Sequence, residues 1–268
     1  TTTTALPTGR ANMGVVAYND SIYMIGGNNT SGAVYNQTLR ANINADGSLG
    51  SLVTEANLPA NRSPTNNSSF AYNGYLYMAG GLTGSGVMND VLYAPIYADK
   101  SIGAWTSTTS FTAPARAWHG AAAYNGYMYV MGGVNSTASN TPRGDAQYAP
   151  INPNGTLGEW QHTTSPGSYY YADVVIYNGY IYLPAQNSGS YLATTRSAPL
   201  ATIPRVARYS TIVDIGELNK FTGITYNGTL PGGALQINYR TAGEDGVFGS
   251  SYNVGRPPSP EGPCIGTY

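Results

Sequence analysis

"AYNGYLYMAGG" occupies Ala71–Gly81, and the chain writes close variants of it three more times. These are "AYNDSIYMIGG" at 17–27, "AYNGYMYVMGG" at 123–133 and "IYNGYIYLPAQ" at 176–186. Their Tyr-Asn pairs begin at Tyr18, Tyr72, Tyr124 and Tyr177, in steps of 54, 52 and 53 residues. A near-constant period of that size is the signature of a repeat architecture. Within the unit, "SSFAYNGYLYMAGG" alternates and is rich in aromatic and aliphatic residues, which predicts two strands. Asn73-Gly74 at its centre predicts a two-residue hairpin, because a type I′ turn needs positive φ at both central positions. Asn19-Asp20, Asn125-Gly126 and Asn178-Gly179 repeat the device. Gly26-Gly27, Gly80-Gly81 and Gly132-Gly133 close the second strand, where a missing Cβ lets backbones approach closely.

Each unit then continues into a third strand: "TLRANIN" (38–44), "VLYAPIY" (91–97), "AQYAPIN" (146–152) and "TRSAPLA" (195–201). A turn leads to a fourth strand opened by "GSL" (50–52), "GAW" (103–105) and "GEW" (158–160), with "RVARYST" (205–211) in the last unit. Four antiparallel strands per fifty-odd residues predict a propeller blade, which buries its faces only against its neighbours. The expected fold is therefore an all-β propeller with four recognisable blades over residues 1–214.

Bulk composition narrows the function classes. Only 9% of the 268 residues are charged, with 12 Lys and Arg against 13 Asp and Glu. An average soluble protein has roughly 25%. Such a surface lacks the basic patch that phosphate neutralisation requires, so a nucleic-acid partner is excluded. Polybasic membrane attachment is disfavoured on the same ground, and no stretch reaches the ~18–20 apolar residues of a membrane span. A surface made from Thr, Ser, Asn, Gly and Tyr points to an extracellular or cell-surface setting. The single Cys264 excludes an internal disulfide framework and a cysteine-based metal site, and reads as a free thiol or, alternatively, as a bridge to another chain.

"RAWHGAAAYNGYMYVMGG" (Arg116–Gly133) resembles the kelch repeat: a lead-in Arg, a small-residue strand, a turn, an aromatic strand and a double glycine. Arg10–Gly27 matches nearly as well, and Arg62–Gly81 matches with two extra loop residues. The fourth unit departs, with Tyr169 in the place of the lead-in Arg and Pro184-Ala185 in the place of Gly-Gly. The resemblance implies a kelch-like β-propeller, in the style of bacterial surface proteins. It says little of activity, since one fold hosts many functions.

The ends of the chain read differently. "TTTTALPTGR" aligns with "TEANLPANR" (54–62) and "TSFTAPAR" (109–116), so residues 1–7 read as a fourth strand of a preceding blade. Kelch-like rings are expected to have six or seven blades, so four blades are expected to be part of a longer chain and a larger ring. Residues 215–268 lose the period. "FTGITYNG" (221–228), "GALQINYRTA" (233–242) and "GVFGSSYNVG" (246–255) still read as short strands between glycine turns. They suit a small accessory β-domain or a degenerate blade, with a faint likeness to sugar-binding jelly rolls. The Pro-rich "RPPSPEGP" (256–263) reads as a linker.

Chemistry-bearing constellations are sparse. Copper oxidases on kelch propellers need several histidines, a tyrosine and a nearby cysteine. Here only His119 and His162 are present, in unlike strand positions, so neither metal nor cofactor is expected. Glycoside hydrolysis needs two carboxylates facing one pocket. Asp46 and Asp99 instead recur in turns, and Asp90 and Asp145 near third-strand starts, which suits structural roles. "NADGSLGSL" and "NPNGTLGEW" are similar to sialidase Asp-box hairpins, but with different spacing and with Asn154 replacing the acid. Arg143-Gly144-Asp145 spells an adhesion tripeptide at a position that blade alignment makes structural. Several Asn-x-Ser/Thr sequons occur, among them Asn36-Gln37-Thr38.

The candidate binding surface is the set of lead-in loops, which gather at one channel mouth in kelch-like rings. Arg10, Arg62 and Arg116, with Trp118, His119, Tyr169 and Tyr170, would crowd that end. Arginine beside aromatics suits carboxylates and sugar rings, whereas arginines bonded to loop carbonyls would serve only the fold. The expected function is a non-catalytic surface propeller for adhesion, glycan or protein binding. The alternatives are a sugar-active enzyme of the sialidase or epimerase kind, and a structural subunit that pairs with copies of itself.

Overall fold

A computed structural model of the chain describes residues 4–200 apart from 66, 67, 139, 140, 166, 172, 185, 189 and 193; beyond 200 it describes only the backbone at 238–239 and 252–253. The described residues form strands and turns without a helix, in four antiparallel sheets arranged as a four-bladed β-propeller. Blade 1 comprises β1 (Gly14–Tyr18), β2 (Ser21–Ile25), β3 (Thr38–Asn42) and β4 (Val53–Thr54). Blade 2 comprises β5 (Ser69–Tyr72), β6 (Tyr75–Thr83), β7 (Gly86–Pro95) and β8 (Thr106–Thr108). Blade 3 comprises β9 (Gly120–Tyr124), β10 (Tyr127–Met131), β11 (Ala146–Pro150) and β12 (Gln161–Thr163). Blade 4 has β13 (Val175–Tyr177), β14 (Tyr180–Leu183) and β17 (Arg196–Pro199), with a short hairpin of β15 (Gln186–Asn187) and β16 (Tyr191–Leu192) before β17. Its expected fourth strand, 205–211, lies outside the described residues.

In blades 1–3 every strand pairs with its neighbour in sequence order, and in blade 4 β14 pairs with β17 past the separate β15–β16 hairpin. The hairpins are the reason. Asn73 and Gly74 have φ of 53° and 78°, and Asn125 and Gly126 have 52° and 82°. Asn19-Asp20 and Asn178-Gly179 are alike, so all four turns are of the primed kind whose twist matches paired strands. One expectation shifts. The fourth-strand ladders begin at Val53, Thr106 and Gln161, not at the glycines three residues earlier. Those glycines still belong to the turn: Gly50, Gly103 and Gly158 each donate back to a carbonyl of the third strand or its end (Asn42, Pro95, Pro150), all at 2.9 Å. The stretch 1–7, expected as a strand, is described from Thr4 onward as an irregular segment.

The core lies between blades. Alternation puts Tyr75 and Tyr77 on one side of β6 and Leu76 and Met78 on the other. The tyrosine side of each blade meets the aliphatic side of the next. Val16, Tyr23 and Ile25 of blade 1 pack on Leu76, Met78, Leu92 and Ala94 of blade 2. Tyr75, Tyr77 and Val91 of blade 2 pack on Met128, Val130 and Ala149 of blade 3. Tyr129 and Met131 of blade 3 pack on Ile181 and Leu183 of blade 4. The inter-blade linkers contribute Leu58 to the first of these layers and Phe111 to the second.

Buried hydroxyls need partners, and the next blade supplies them. Tyr23 donates to the Lys100 carbonyl at 2.7 Å and Tyr77 to that of Gly155 at 2.8 Å. Trp105 reaches back from blade 2 to Thr38 Oγ1 at 3.0 Å. Burial pushes the Tyr23 hydroxyl up to about 12, so it stays protonated as a donor.

The chain divides into two compact units, Thr1–Ser210 and Thr211–Tyr268. In the second, β18 (Asn238–Tyr239) pairs antiparallel with β19 (Tyr252–Asn253). The other strands expected in 215–268, the Pro-rich run and Cys264 lie outside the described residues.

Candidate functional site

The lead-in segments of successive blades touch one another. Each double glycine explains why. The second glycine of blades 1, 2 and 3 donates its N–H to the carbonyl of the next lead-in residue: Gly27 to Arg62 at 3.0 Å, Gly81 to Arg116 at 3.1 Å, Gly133 to Tyr169 at 2.8 Å. Tyr169 therefore stands in the arginine position by backbone geometry as well as by alignment.

The three arginine side chains turn into their own blades. Arg116 Nη1 donates to the Gly132 carbonyl at 3.0 Å and Nη2 to Asp145 Oδ2 at 2.5 Å. Arg62 makes a two-pronged pair with Asp90 at 2.7 and 2.9 Å. Arg10 donates to Gln37 Oε1 at 2.8 Å and lies over the Tyr35 ring at 4.3 Å. Gln37, Asp90 and Asp145 each stand immediately before or at the start of the third-strand run, so one slot takes an amide in blade 1 and acids in blades 2 and 3. Arg62 and Arg116 are buried, and their guanidinium groups serve the fold. Burial would raise the Asp145 carboxyl, but hydrogen bonds from Arg116 and Gln147 and the charges of Arg116 and Arg143 outweigh it, holding the pKa at about 2. The Arg143-Gly144-Asp145 tripeptide is thereby committed to internal bonding at its acid.

His119 lies buried beneath, beside Phe111. Burial and the nearby Arg116 charge push its pKa down to about 3, so the imidazole is neutral. Tyr169 is also buried, and its hydroxyl has no hydrogen-bond partner among the described residues. Tyr169→Phe is accordingly expected to raise stability by about 1 kcal/mol, since it removes a buried hydroxyl that carries its desolvation cost without a bond. Thermal melts of the two proteins check this.

What remains toward solvent is aromatic. Trp118 lies 4.8 Å from Tyr171 and 6.1 Å from Tyr170 between ring centroids, and the two tyrosines are 4.9 Å apart. Trp118 is half-buried, Tyr170 buried and Tyr171 exposed. Asn12, Thr65, Trp118 and Tyr171, at like places in the four lead-ins, have φ of 53°, 58°, 54° and 53°. Left-handed backbone is a genuine outlier for a β-branched or bulky residue, and costs of order 1–3 kcal/mol unless the surroundings impose it. Here they do. Trp118 N–H donates to Thr65 Oγ1 at 3.0 Å and Tyr171 N–H to the Trp118 carbonyl at 2.9 Å.

Of the seven residues singled out by sequence, Trp118 and Tyr170 thus join a cluster, while Arg62, Arg116, His119 and Tyr169 are interior and Arg10 is half-buried. Tyr171 was missed. The Tyr169–Tyr171 run was its only sequence signal, and nothing local says which ring turns outward.

The carboxylates have local work. Asp46 and Asp99 each accept the N–H and hydroxyl of the serine two residues on, and Asn154 does so from Thr156. These are Asx turns. Glu55 pairs with Arg40 at 2.7 Å and accepts from the Ile102 N–H. Among the described residues no three His, Cys, Asp or Glu side chains gather as a metal-ligand set. No protein-family model matches the chain, and no curated protein matches it.

Proposed function

We propose that the chain is a kelch-like propeller of an extracellular or cell-surface protein that binds a carbohydrate without transforming it. The observation that carries this reading is the Trp118–Tyr170–Tyr171 cluster on the lead-in side of blades 3 and 4. Tyr and Trp offer large, stiff contact area with a polar edge, which suits the apolar face and hydroxyl rim of a sugar ring. Backbone at positive φ holds two of the rings in place before a ligand arrives, so little ordering cost remains to be met on binding. A sugar-active enzyme is less well supported, because Asp46, Asp90, Asp99, Asp145 and Glu55 are each engaged in turns or ion pairs. The surface setting rests on the 9% charge and the abundance of Thr, Ser, Asn and Tyr.

A glycan array screened with the intact chain, followed by titration of tryptophan fluorescence with the best binder, tests the reading. Trp118→Asn and Tyr171→Asn keep a residue tolerant of positive φ while removing each ring. Each is expected to weaken binding at least tenfold. Silence across the array, or binding indifferent to both changes, would overturn the proposal.

A further inference from the structure

Blades 2 and 3, which each have a described blade on both sides, turn their first hairpin on the same four residues. Tyr72-Asn73-Gly74-Tyr75 and Tyr124-Asn125-Gly126-Tyr127 are identical in sequence. Their turns are alike as well: φ is 53° and 78° at Asn73 and Gly74, and 52° and 82° at Asn125 and Gly126. Each turn is closed by its flanking tyrosines, Tyr72 paired with Tyr75 and Tyr124 with Tyr127. Each glycine carbonyl accepts the N–H of the residue after the third strand, Gly74 from Ile96 at 2.8 Å and Gly126 from Ile151 at 2.7 Å.

The glycine N–H is where they part. Gly126 is buried and donates its N–H to the Tyr72 hydroxyl of the preceding blade at 2.8 Å. Gly74 is half-buried, and its N–H has no acceptor among the described residues. A third Asn-Gly pair in these blades, Asn154-Gly155, is held on both residues. Asn154 Oδ1 accepts from the N–H and hydroxyl of Thr156. Gly155 donates its N–H to the Asn152 carbonyl at 3.0 Å and lies buried against the Tyr75 ring.

That N–H decides a reaction open to asparagine before glycine. Once solvent base has taken its proton, the glycine nitrogen can add to the asparagine Cγ, because glycine carries no side chain to obstruct the approach. Ring closure also requires the asparagine backbone to leave the turn conformation, and a hydrogen bond on the following N–H resists both steps. We propose that Asn73 is a site of spontaneous covalent modification, converting through a succinimide, while Asn125 and Asn154 stay intact over the same period.

In the first step the Gly74 nitrogen bonds to Asn73 Cγ, the Cγ–Nδ2 bond breaks, and Nδ2 leaves as ammonia with the proton that the base returns. Water then adds to one of the two ring carbonyls and reopens the ring. The product is isoaspartate or aspartate, with a carboxylate where a neutral amide stood. Isoaspartate inserts a methylene into the main chain, which a two-residue turn cannot hold, so the Tyr72–Tyr75 pairing opens. The inference does not depend on the carbohydrate reading.

Peptide mapping by mass spectrometry, with isoaspartate labelled by a methyltransferase, follows the three pairs in the intact chain held at mildly alkaline pH. Asn73 is expected to convert roughly tenfold faster than Asn125 and Asn154, the factor that one retained hydrogen bond holds back. In the urea-unfolded chain Asn73 and Asn125, with identical neighbours, should convert at one rate. Tyr72→Phe removes the hydroxyl that holds Gly126 and should bring Asn125 up to the wild-type Asn73 rate. Asn154 should keep its wild-type rate in that variant, which also reports that the fold is intact. Equal rates at Asn73 and Asn125 in the folded wild type, unequal rates in urea, or an Asn125 rate unmoved by Tyr72→Phe would each overturn the proposal.

Discussion

Gly26→Ala should lower stability by roughly 3–4 kcal/mol, the sum of left-handed backbone strain and overpacking. Gly26 sits at φ +59°, where any Cβ strains the backbone. The Cβ would also fall 2.1 Å from the Arg62 carbonyl oxygen, at the point where the blade 2 lead-in crosses blade 1. Neither group can retreat easily, because the Arg62 carbonyl is already held by the Gly27 N–H at 3.0 Å. Gly32→Ala separates the two causes. Gly32 has φ +82° but nothing within 4 Å of the added carbon, so only the backbone strain of about 1–2 kcal/mol applies. Urea unfolding of both variants measures the difference, and equal losses would show that the blade crossing is looser than described.

Arg116→Ala should have a comparable effect, about 3 kcal/mol or more, and a fall in Tm of roughly 6–12 °C. Its side chain is 0% exposed and ties the Gly132 carbonyl to Asp145, so truncation leaves a half-buried carboxylate without its main partner. Across the three lead-in arginines the loss should follow burial and partner charge: Arg116 most, then Arg62 with Asp90, and Arg10 with neutral Gln37 least. The ion pair also leaves a pH signature. The Asp145 pKa is depressed to about 2 in the folded protein, below its ordinary 3.8. Its contribution is therefore fully present above about pH 4 and is lost as pH falls toward 2. Wild type and Arg116→Ala should converge in stability over that interval, and chemical unfolding at stepped pH reads it directly. A constant gap down to pH 2 would assign the effect of Arg116 to packing alone.

The two substitutions differ in how visible their causes are. Gly26-Gly27 stands out in sequence because a double glycine after an aromatic strand recurs in three repeats, and a backbone crossing is a natural reason for it. That the crossing belongs to the next lead-in residue is a property of neighbouring blades. Likewise Arg116 is conspicuous, yet its acid lies 29 residues on. Sequence reasoning pointed the arginines toward a ligand or toward loop carbonyls. The structure turns them to the carbonyl of the first glycine and, in blades 2 and 3, to an acid: Asp90 within β7 and Asp145 just before β11. The aromatic cluster shows the same limit, since Trp118 and Tyr171 come from different repeats and meet only when two lead-ins lie side by side.

From its residues alone, this chain determines how many blades repeat, where each hairpin turns and which strand faces alternate. Those features follow from positive-φ turn chemistry and the two-residue period of a strand, which act over a few residues at a time. Tertiary structure alone decided which arginine meets which acid, which ring of Tyr169–Tyr171 reaches solvent, and which of two identical turns has its glycine N–H held by a tyrosine of the preceding blade. Each of those depends on groups tens of residues apart being brought within a few ångströms, and no local preference encodes that distance.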